Sequence, residues 1–333
     1  MEKIFFGTLP DGKDVHLYVI KNEYCTLTVS DFGLTVVGFE TFSRDIIGGF
    51  DSLNGYLADD SHQGGTIGRV ANRIEGARFT MDGRTYSLPK NDGDNCLHGG
   101  LGFDRRMWEF ESSDEKSMTF SYFSKDGEEG FPADLSVKVT MTLDGTALII
   151  SYEAKPEGRT PIALTNHSYF NLDGFGADIK EHTARIYAQK YTEVGENLIP
   201  TGRTPCVLGT AFDFTEPHKI GERLSEDFVG YDHNYILSPT VYEEFLGRRA
   251  GLAAEVWSSD LKLSVYTDMP GVQFYIGNFL GNGPDFKGGV RQVRHGAFCL
   301  ETQTEPNCIN RGEGFYNAGE VYRHLCVYRV EKI

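Results

Sequence analysis

Alternation of apolar and polar residues with a period of two is the feature that most restricts the fold of this chain. It is clearest over residues 135–143, where Leu, Val and Met alternate with Ser, Lys and Thr. The pattern recurs at residues 118–122 and 261–267, and β-branched and aromatic residues are dense at 26–40 and 147–154. Because successive side chains of a β-strand point to opposite faces, each run predicts a strand.

Turn dipeptides separate these runs at short intervals. Asp-Gly or Asn-Gly pairs stand at residues 11–12, 82–83, 92–93, 126–127, 144–145 and 282–283. Helical signals are few: residues 51–60 follow an Asp/Ser cap, and residues 220–228 are a second candidate. With 39 glycines and no linker, charge block or repeat, the pattern predicts one all-β domain over residues 1–333, built as a large antiparallel sandwich.

The charge balance favours a neutral ligand. Lysines and arginines number 32 and acidic residues 48, a formal charge of −16, so the chain lacks the basic surface that nucleic acid or an anionic membrane requires. No apolar run is long enough to span a bilayer, and the N-terminal residues lack the pattern of a secretory signal. Six scattered cysteines without a C-x-x-C pair indicate reduced thiols, so we expect a cytoplasmic protein.

Several common chemistries lack their usual sequence signature. There is no G-x-G-x-x-G, no G-x-x-x-x-G-K-[ST], no G-x-S-x-G and no H-E-x-x-H, which argues against the usual dinucleotide, P-loop, serine-elbow and zinc-protease sites. A metal site remains an alternative, since β-folds can collect ligands from distant strands. Its candidate ligands are His98, His167, His233 and Asp232.

The most informative polar stretch covers residues 165–172 and consists of Thr-Asn-His-Ser-Tyr-Phe-Asn-Leu. If the stretch is extended, His167, Tyr169 and Asn171 share one face. An imidazole among hydrogen-bonding groups suits proton transfer on a polar ligand such as a sugar. A core histidine satisfied by neighbouring amides is the alternative interpretation.

Other polar clusters are dispersed along the chain, and each alone is a weak signal. Residues 64–74 combine glycines, which permit close backbone approach, with an amide and two arginines that grip hydroxyls or are merely solvated. Residues 95–104 place a histidine before a glycine loop, and residues 231–235 hold a carboxylate, an imidazole and an amide. Glu301 follows an apolar run, where a buried carboxylate must be paired, functional or bonded to backbone.

Together these clusters resemble the aldose 1-epimerase (galactose mutarotase) family. The matching segments run in the family's order through nearly the whole chain, at residues 68–74, 97–100, 165–172, 230–234, 270–280 and 299–303. The resemblance implies a β-supersandwich, no metal or organic cofactor, and interconversion of the α and β anomers of a free aldose.

The resemblance also implies roles for individual residues. Glu301 takes the proton from the anomeric hydroxyl and His167 protonates the ring oxygen; the ring opens, the C1–C2 bond rotates, and reclosure reverses both transfers. The residues implied to bind the sugar hydroxyls are Asn72, Arg73, His98, Tyr169, Asp232 and Gln273. Because the acid must be protonated while the base is ionised, we expect mutual attraction to keep His167 and Glu301 charged.

Two other functions stay open at this point. A carbohydrate-binding protein would need the hydroxyl-binding residues but not the pair of His167 and Glu301. A glycoside hydrolase would use Asp232 and Glu301 as its two carboxylates. The partner expected in each case is a small neutral sugar, and we expect a monomer or weak dimer.

Overall fold

Strands account for most of the regular structure in the computed structural model, which describes residues 1–333. The strands of the first half are β1 (Glu2–Thr8), β2 (Asp14–Lys21), β3 (Cys25–Ser30), β4 (Thr35–Thr41), β5 (Arg44–Asp45), β6 (Thr66–Ile67), β7 (Arg73–Ile74), β8 (Arg78–Met81), β9 (Arg84–Ser87), β10 (Cys96–Leu97), β11 (Glu109–Ser113), β12 (Ser117–Ser124), β13 (Leu135–Asp144) and β14 (Ala147–Pro156). The strands that follow are β15 (Thr160–Pro161), β16 (Thr165–Asn166), β17 (Thr183–Ile186), β18 (Ala188–Tyr191), β19 (His218–Lys219), β20 (Asp232–Leu237), β21 (Tyr242–Phe245), β22 (Arg248–Trp257), β23 (Leu261–Thr267), β24 (Gly271–Tyr275), β25 (Cys299–Gln303), β26 (Phe315–Tyr316) and β27 (Tyr322–Lys332). The helices are α1 (Leu53–Ala58) and short 3₁₀ turns at Glu75–Ala77, Phe103–Arg105, Glu128–Gly130, Lys287–Gly289 and Cys308–Arg311.

Three antiparallel sheets form the body of the molecule. A five-stranded sheet has the order β1-β2-β3-β4-β5, and a four-stranded sheet has the order β18-β20-β24-β25. A ten-stranded sheet follows the order β11-β12-β13-β14-β27-β23-β22-β17-β19, with β21 also paired to β22. Four two-stranded pairs complete the topology: β6 with β16, β7 with β10, β8 with β9, and β15 with β26.

The main hydrophobic core lies where the three sheets face one another. Leu27 of the five-stranded sheet, Val139 of the ten-stranded sheet and Phe274 of the four-stranded sheet are fully buried in one cluster of 50 residues. Full burial of one such side chain stabilises the fold by roughly 1.5–3 kcal/mol. The packed sheets confirm the predicted all-β antiparallel class.

The predicted strands are confirmed, with one refinement. Residues 118–122, 135–143, 147–154 and 261–267 lie in β12, β13, β14 and β23. Residues 26–40 form two strands instead of one, β3 and β4, which pair with each other. The alternation signal was therefore correct for the strands, but it did not show the turn between β3 and β4.

One of the two predicted helices is wrong. Residues 51–60 do contain α1, although Ser52 at its N-cap makes no side-chain capping bond. Residues 220–228 form turns: the Leu224 N–H donates to the Gly221 carbonyl at 3.3 Å, and the Ser225 N–H donates forward to the Phe228 carbonyl at 3.0 Å. A helical N–H donates backward along the chain, so the bond of Ser225 is incompatible with a helix there. No helix in the structure has the length and apolar character that crossing a membrane requires.

Candidate active site

A cavity of about 190 Å³ collects most of the polar residues that the sequence singles out. It is lined by Asp60, Ser61, His62, Asn72, Arg73, Leu97, His98, His167, Tyr169, Asp232, Tyr275, Phe279 and Glu301. Seven of the eight predicted site residues are in this set. The eighth, Gln273, lies behind Asp232 and donates its Nε2–H to the Asp232 Oδ1 atom at 2.7 Å.

The four-stranded sheet places the carboxylates of the cavity. Glu301 of β25 pairs directly with Gln273 of β24, which in turn pairs with Asn234 of β20. Directly paired residues share a face of a sheet, and so do residues two apart in one strand. Glu301, Gln273 and Asp232 therefore project from the same face toward the cavity.

His167 enters the cavity from the end of a short strand. The ladder between β16 and β6 stops at Asn166, and the His167 N–H then donates to the Gly65 carbonyl at 3.0 Å. The prediction of one extended stretch is only partly correct: the rings of His167 and Tyr169 stack at 5.1 Å, but Asn171 donates to the Ala177 and Gly296 carbonyls at 3.1 and 3.0 Å. Asn171 therefore supports the backbone and does not line the cavity.

Asn72 and His98 hold each other in place. The His98 N–H donates to the Asn72 carbonyl, and the Asn72 N–H donates to His98 Nδ1, each at 3.2 Å. The next residue, Gly99, has φ +79°, and a Cβ there would meet the Gly68 carbonyl oxygen at 2.5 Å, so only glycine fits this turn. With Nδ1 used as an acceptor, the neutral His98 ring carries its proton on Nε2 as a donor.

The two arginines of residues 64–74 have different environments, and neither is merely solvated. Arg73 lines the cavity, donates from Nε to Asp92 Oδ2 at 2.8 Å and lies 3.8 Å from Asp232 Oδ2. Arg69 is 2% exposed and faces away from the cavity. Its guanidinium donates to Ser124 Oγ at 2.6 Å and to the Pro132 carbonyl at 2.7 Å. Arg69 therefore anchors a buried loop, whereas Arg73 is available to a ligand.

His167 and Glu301 form a close pair at the buried side of the cavity. His167 Nε2 lies 3.6 Å from Glu301 Oε1, which is too long for a hydrogen bond and leaves both atoms able to contact a ligand. Their residues are 6% and 2% exposed. Glu301 Oε2 is buried without a protein hydrogen-bond partner, and such an atom calls for a functional explanation.

Burial works against the expectation that both members of this pair are charged. Burial lowers the pKa of His167 to about 3, with the nearby His62 adding to the effect. Burial also raises the pKa of Glu301 well above its usual value, as does the charge of Asp232, while Arg73 opposes the shift. Loss of hydration therefore disfavours the charged form of both groups and opposes their mutual attraction.

A third histidine in the cavity was missed at the sequence level. The His62 ring lies 4.7 Å from that of His98 and 6.1 Å from that of His167, and its Nδ1 is 2.8 Å from Asp104 Oδ2. Burial alone would raise the pKa of Asp104, but His62 and Arg105 outweigh it and lower that pKa. No pattern marks His62 in the sequence, and the cavity residues Tyr275 and Phe279 were likewise assigned no role.

The cavity contains one group of residues whose spacing suits a metal ion. Ligand atoms of His98, His167 and Glu301 lie within 4.8 Å of one another. A metal-binding histidine normally donates its other ring N–H to an acceptor, whereas His98 Nδ1 accepts from Asn72 and leaves no lone pair on Nε2. Asp232 and His233, the other two proposed ligands, are not in this group, and His233 packs against the Phe212 ring at 4.5 Å. The donor set therefore fits hydrogen bonding to a ligand better than metal binding.

Comparison with known proteins places the whole chain in one family. The model of the aldose 1-epimerase family matches residues 16–329. Galactose mutarotase of Rattus norvegicus is 41% identical over 97% of this chain and 96% of its own length, and that of Homo sapiens is 40% identical over the same shares. Aldose 1-epimerase of Escherichia coli (strain K12) is 35% identical over 96% of both chains.

Solved structures agree with the sequence comparisons. A crystal structure of an aldose epimerase homologue from C. elegans superposes with a TM-score of 0.87 at 27% identity and covers 95% of this chain and 99% of its own. Galactose 1-epimerase from Lactobacillus acidophilus NCFM also gives a TM-score of 0.87, at 26% identity over 99% of this chain and 98% of its own. The antiparallel sandwich is thus the fold of this family.

Proposed function

The chain belongs to the aldose 1-epimerase family, and we propose from this premise that it interconverts the α and β anomers of a free aldose through His167 and Glu301. The observation that carries the proposal is the 3.6 Å separation of His167 Nε2 and Glu301 Oε1 at the buried side of a polar cavity. An acid and a base at this spacing can address the two oxygens on an anomeric carbon together. The enzyme is therefore an isomerase.

Ring opening uses the charged form of the pair. One proton moves from Glu301 to His167, and this gives a carboxylate and an imidazolium without exchange with solvent. The carboxylate accepts the proton of the anomeric hydroxyl, whose electrons form the C1 carbonyl. The bond between C1 and the ring oxygen breaks, and the ring oxygen takes its electrons together with the proton from His167 Nε2.

Reclosure returns the pair to the charged form from which ring opening began. After ring opening, Glu301 carries the proton and His167 is neutral, which is the form that burial favours. Rotation about C1–C2 presents the other face of the carbonyl, and the same two transfers run in reverse. Each positioned group contributes roughly 10²–10⁴-fold, which is ample for a reaction that already proceeds slowly in water.

The remaining polar residues position the sugar. We propose that its hydroxyls bind Asn72, Arg73, His98, Tyr169 and Asp232, and that Gln273 orients Asp232. The opposite charges of Arg73 and Asp232 and the Nε2–H donor of His98 support this assignment, because a hydroxyl can donate to one group while it accepts from another. Gln273 acts through Asp232, to which it is hydrogen-bonded.

Three broader properties follow as proposals. We propose a single domain and a functional monomer or weak dimer, since residues 60–301 of one chain line the whole cavity. A cytoplasmic location is supported by the unpaired state of all the cysteines. The names of the mammalian relatives make galactose the first aldose to test, with glucose second.

Polarimetry of freshly dissolved α-D-galactose and α-D-glucose tests the proposal. The wild-type protein should accelerate the change in rotation, and Glu301→Gln should lose most of that acceleration. Glu305→Gln is the matched control, because Glu305 pairs with Arg311 at 2.9 Å outside the cavity and should stay active. Binding without acceleration would indicate a carbohydrate-binding protein, and release of hexose from a disaccharide would indicate a hydrolase using Asp232 and Glu301.

A further inference from the structure

Two histidines of the cavity have opposite hydrogen-bond partners on the same ring atom. His98 Nδ1 accepts the backbone N–H of Asn72 at 3.2 Å, whereas His62 Nδ1 lies 2.8 Å from Oδ2 of the Asp104 carboxylate. A backbone N–H can only donate a hydrogen bond, and an ionised carboxylate can only accept one. The partner of each Nδ1 atom therefore determines which nitrogen of that ring carries the proton.

The charge states of Asp104 and His98 support this assignment. Burial acts to raise the pKa of Asp104, but His62 and Arg105 outweigh it and lower that pKa, so the carboxylate is ionised and accepts. His62 Nδ1 must then carry a proton, and the Nε2 atom of the neutral ring has a free lone pair. Burial, together with His62, lowers the pKa of His98 well below its usual value. The His98 ring is therefore neutral, with its proton on Nε2.

The two Nε2 atoms are both available to a ligand. The rings of His62 and His98 lie 4.7 Å apart at an angle of 62°, and both line the catalytic cavity. Neither Nε2 atom is hydrogen-bonded to the protein, and both keep access to the cavity. The His167 ring lies 5.2 Å from that of His98 and 6.1 Å from that of His62. An acceptor and a donor thus lie side by side next to the catalytic acid.

We infer that His62 is a ligand-binding residue, and that His62 and His98 together bind one hydroxyl group of the aldose. This hydroxyl donates to His62 Nε2 and accepts from the Nε2–H of His98. A hydroxyl can do both at once, whereas an ether oxygen has no hydrogen to donate and an ammonium group has no lone pair. The hydroxyl is not the anomeric one, which Glu301 deprotonates. The identity of the ligand rests on the proposed function, but the two tautomers do not.

NMR spectra of isotope-labelled histidine side chains test the tautomers without any turnover. At neutral pH we expect the proton on Nδ1 of His62 and on Nε2 of His98, with the two sets of signals assigned by their loss in His62→Asn and His98→Asn. Addition of galactose should shift the Nε2 signals of both rings. A proton on His62 Nε2, in the other tautomer or in an imidazolium, would overturn the inference.

The kinetic test uses His62→Asn, because the asparagine amide can still donate to Asp104 but has no atom in the place of Nε2. By polarimetry, kcat/KM for galactose and glucose should fall about tenfold, as expected for the loss of one hydrogen bond. His16→Asn is the matched control. His16 Nδ1 lies 3.5 Å from Asp31 Oδ2, outside the cavity, so this change should leave kcat/KM unaltered.

Deoxy sugars identify the hydroxyl and separate this inference from the proposed function. Of the 2-, 3-, 4- and 6-deoxy forms of the preferred hexose, one should be a poor substrate of the wild-type protein and lose nothing further in His62→Asn. The other forms should lose about tenfold, as the parent hexose does. An equal effect of His62→Asn on every deoxy form, or no effect on any, would overturn the inference alone. No turnover of any sugar by the wild-type protein would contradict the proposed function, and the tautomers would then decide the inference.

Discussion

The ten-stranded sheet and the four-stranded sheet bury their strands in different ways. In the ten-stranded sheet, β13 alternates between buried apolar residues such as Val139 and exposed polar ones such as Lys138. In the four-stranded sheet, all five residues of β25 are buried, and three of them are polar or charged. Polar atoms of Glu301, Gln273 and Gln303 are buried there without a hydrogen-bond partner.

This difference separates the part of the molecule that supplies stability from the part that supplies chemistry. Apolar burial stabilises a fold, whereas an unpartnered buried polar atom destabilises it by about 1–3 kcal/mol. Where such an atom lies in a cavity, as Glu301 Oε2 does, a ligand can use it. We call the sheets and loops that surround the cavity the frame. We therefore expect substitutions in the cavity to change turnover and substitutions in the frame to change stability.

The largest expected effect is that of His167→Asn. The change removes the acid from the cavity, so turnover should fall by roughly 10²–10⁴-fold, equivalent to about 3–5 kcal/mol. The free energy of unfolding should change little, since His167 makes few protein hydrogen bonds through its ring. Polarimetry and a urea titration measure the two quantities. His218→Asn alters a partly buried histidine that pairs with Glu222 outside the cavity, and it should change neither quantity. A large stability loss in His167→Asn would contradict the distinction.

The two neighbouring arginines provide the next test. Arg69→Ala leaves several buried acceptors of Ser124 and Pro132 unpaired, so the protein should lose about 3 kcal/mol or more of stability. Arg73→Ala should instead raise KM and lower kcat with a smaller loss of stability. Urea titrations and sugar kinetics on both variants check this contrast. Equal stability losses would show that Arg73 is also part of the frame.

The pH dependence of stability should come from the frame and not from the catalytic pair. Burial lowers the pKa of His324 on β27 to about 3. Below about pH 6.5 the unfolded chain binds a proton at this residue and the folded chain does not, so stability falls as the pH falls toward 3. The loss is about 1.4 kcal/mol per pH unit for this group.

The catalytic pair behaves differently over part of the same range. Between about pH 4.5 and 6.5, the unfolded chain has a protonated His167 and an ionised Glu301, one proton in total. In the folded pair the pKa of His167 is lowered to about 3 and that of Glu301 is raised. The first shift makes stability fall as the pH falls and the second makes it rise, so the two contributions to the slope oppose each other. His324→Gln should reduce the slope of unfolding free energy against pH by the amount expected for about one proton. An unchanged slope would contradict the assignment of this pH dependence to His324.

The smallest effect is expected for Tyr169→Phe. The Tyr169 hydroxyl donates to the Ser61 carbonyl at 2.9 Å, and its ring stacks on His167. Phenylalanine keeps the stack and loses one hydrogen bond, worth about 1 kcal/mol, so kcat/KM should fall about fivefold. Steady-state polarimetry measures the change. A loss as large as that of His167→Asn would mean that Tyr169 takes part in proton transfer.

The sequence was most informative where a property is local. Alternation over residues 135–143 predicted β13, because the side-chain period of a strand is visible in the residues themselves. The motif around Glu301 predicted a buried carboxylate for the same reason. Residues 220–228 carry helical signals, but the Ser225 N–H donates forward to the Phe228 carbonyl, so turn hydrogen bonds take the place of helical ones.

What the sequence could not supply depends on contacts between distant residues. His62 and Asp104 are 42 positions apart, and no spacing rule joins them. The opposite pKa shifts of His167 and Glu301 arise from burial, which depends on the packed sheets and is not encoded in either motif. The different roles of Arg69 and Arg73 likewise depend on contacts with distant residues that form only in the folded chain.

The most direct test of the central claim is a double-mutant cycle of His167→Asn and Glu301→Gln, followed by polarimetry with the preferred hexose. If the two residues shuttle one proton through the sugar as a unit, each single variant should lose most of the activity. The double variant should then lose little more activity than the less active of the two single variants, because the effects of residues that act as a unit are not additive. Losses that multiply in the double variant would show that His167 and Glu301 act independently and would contradict the shared-proton mechanism.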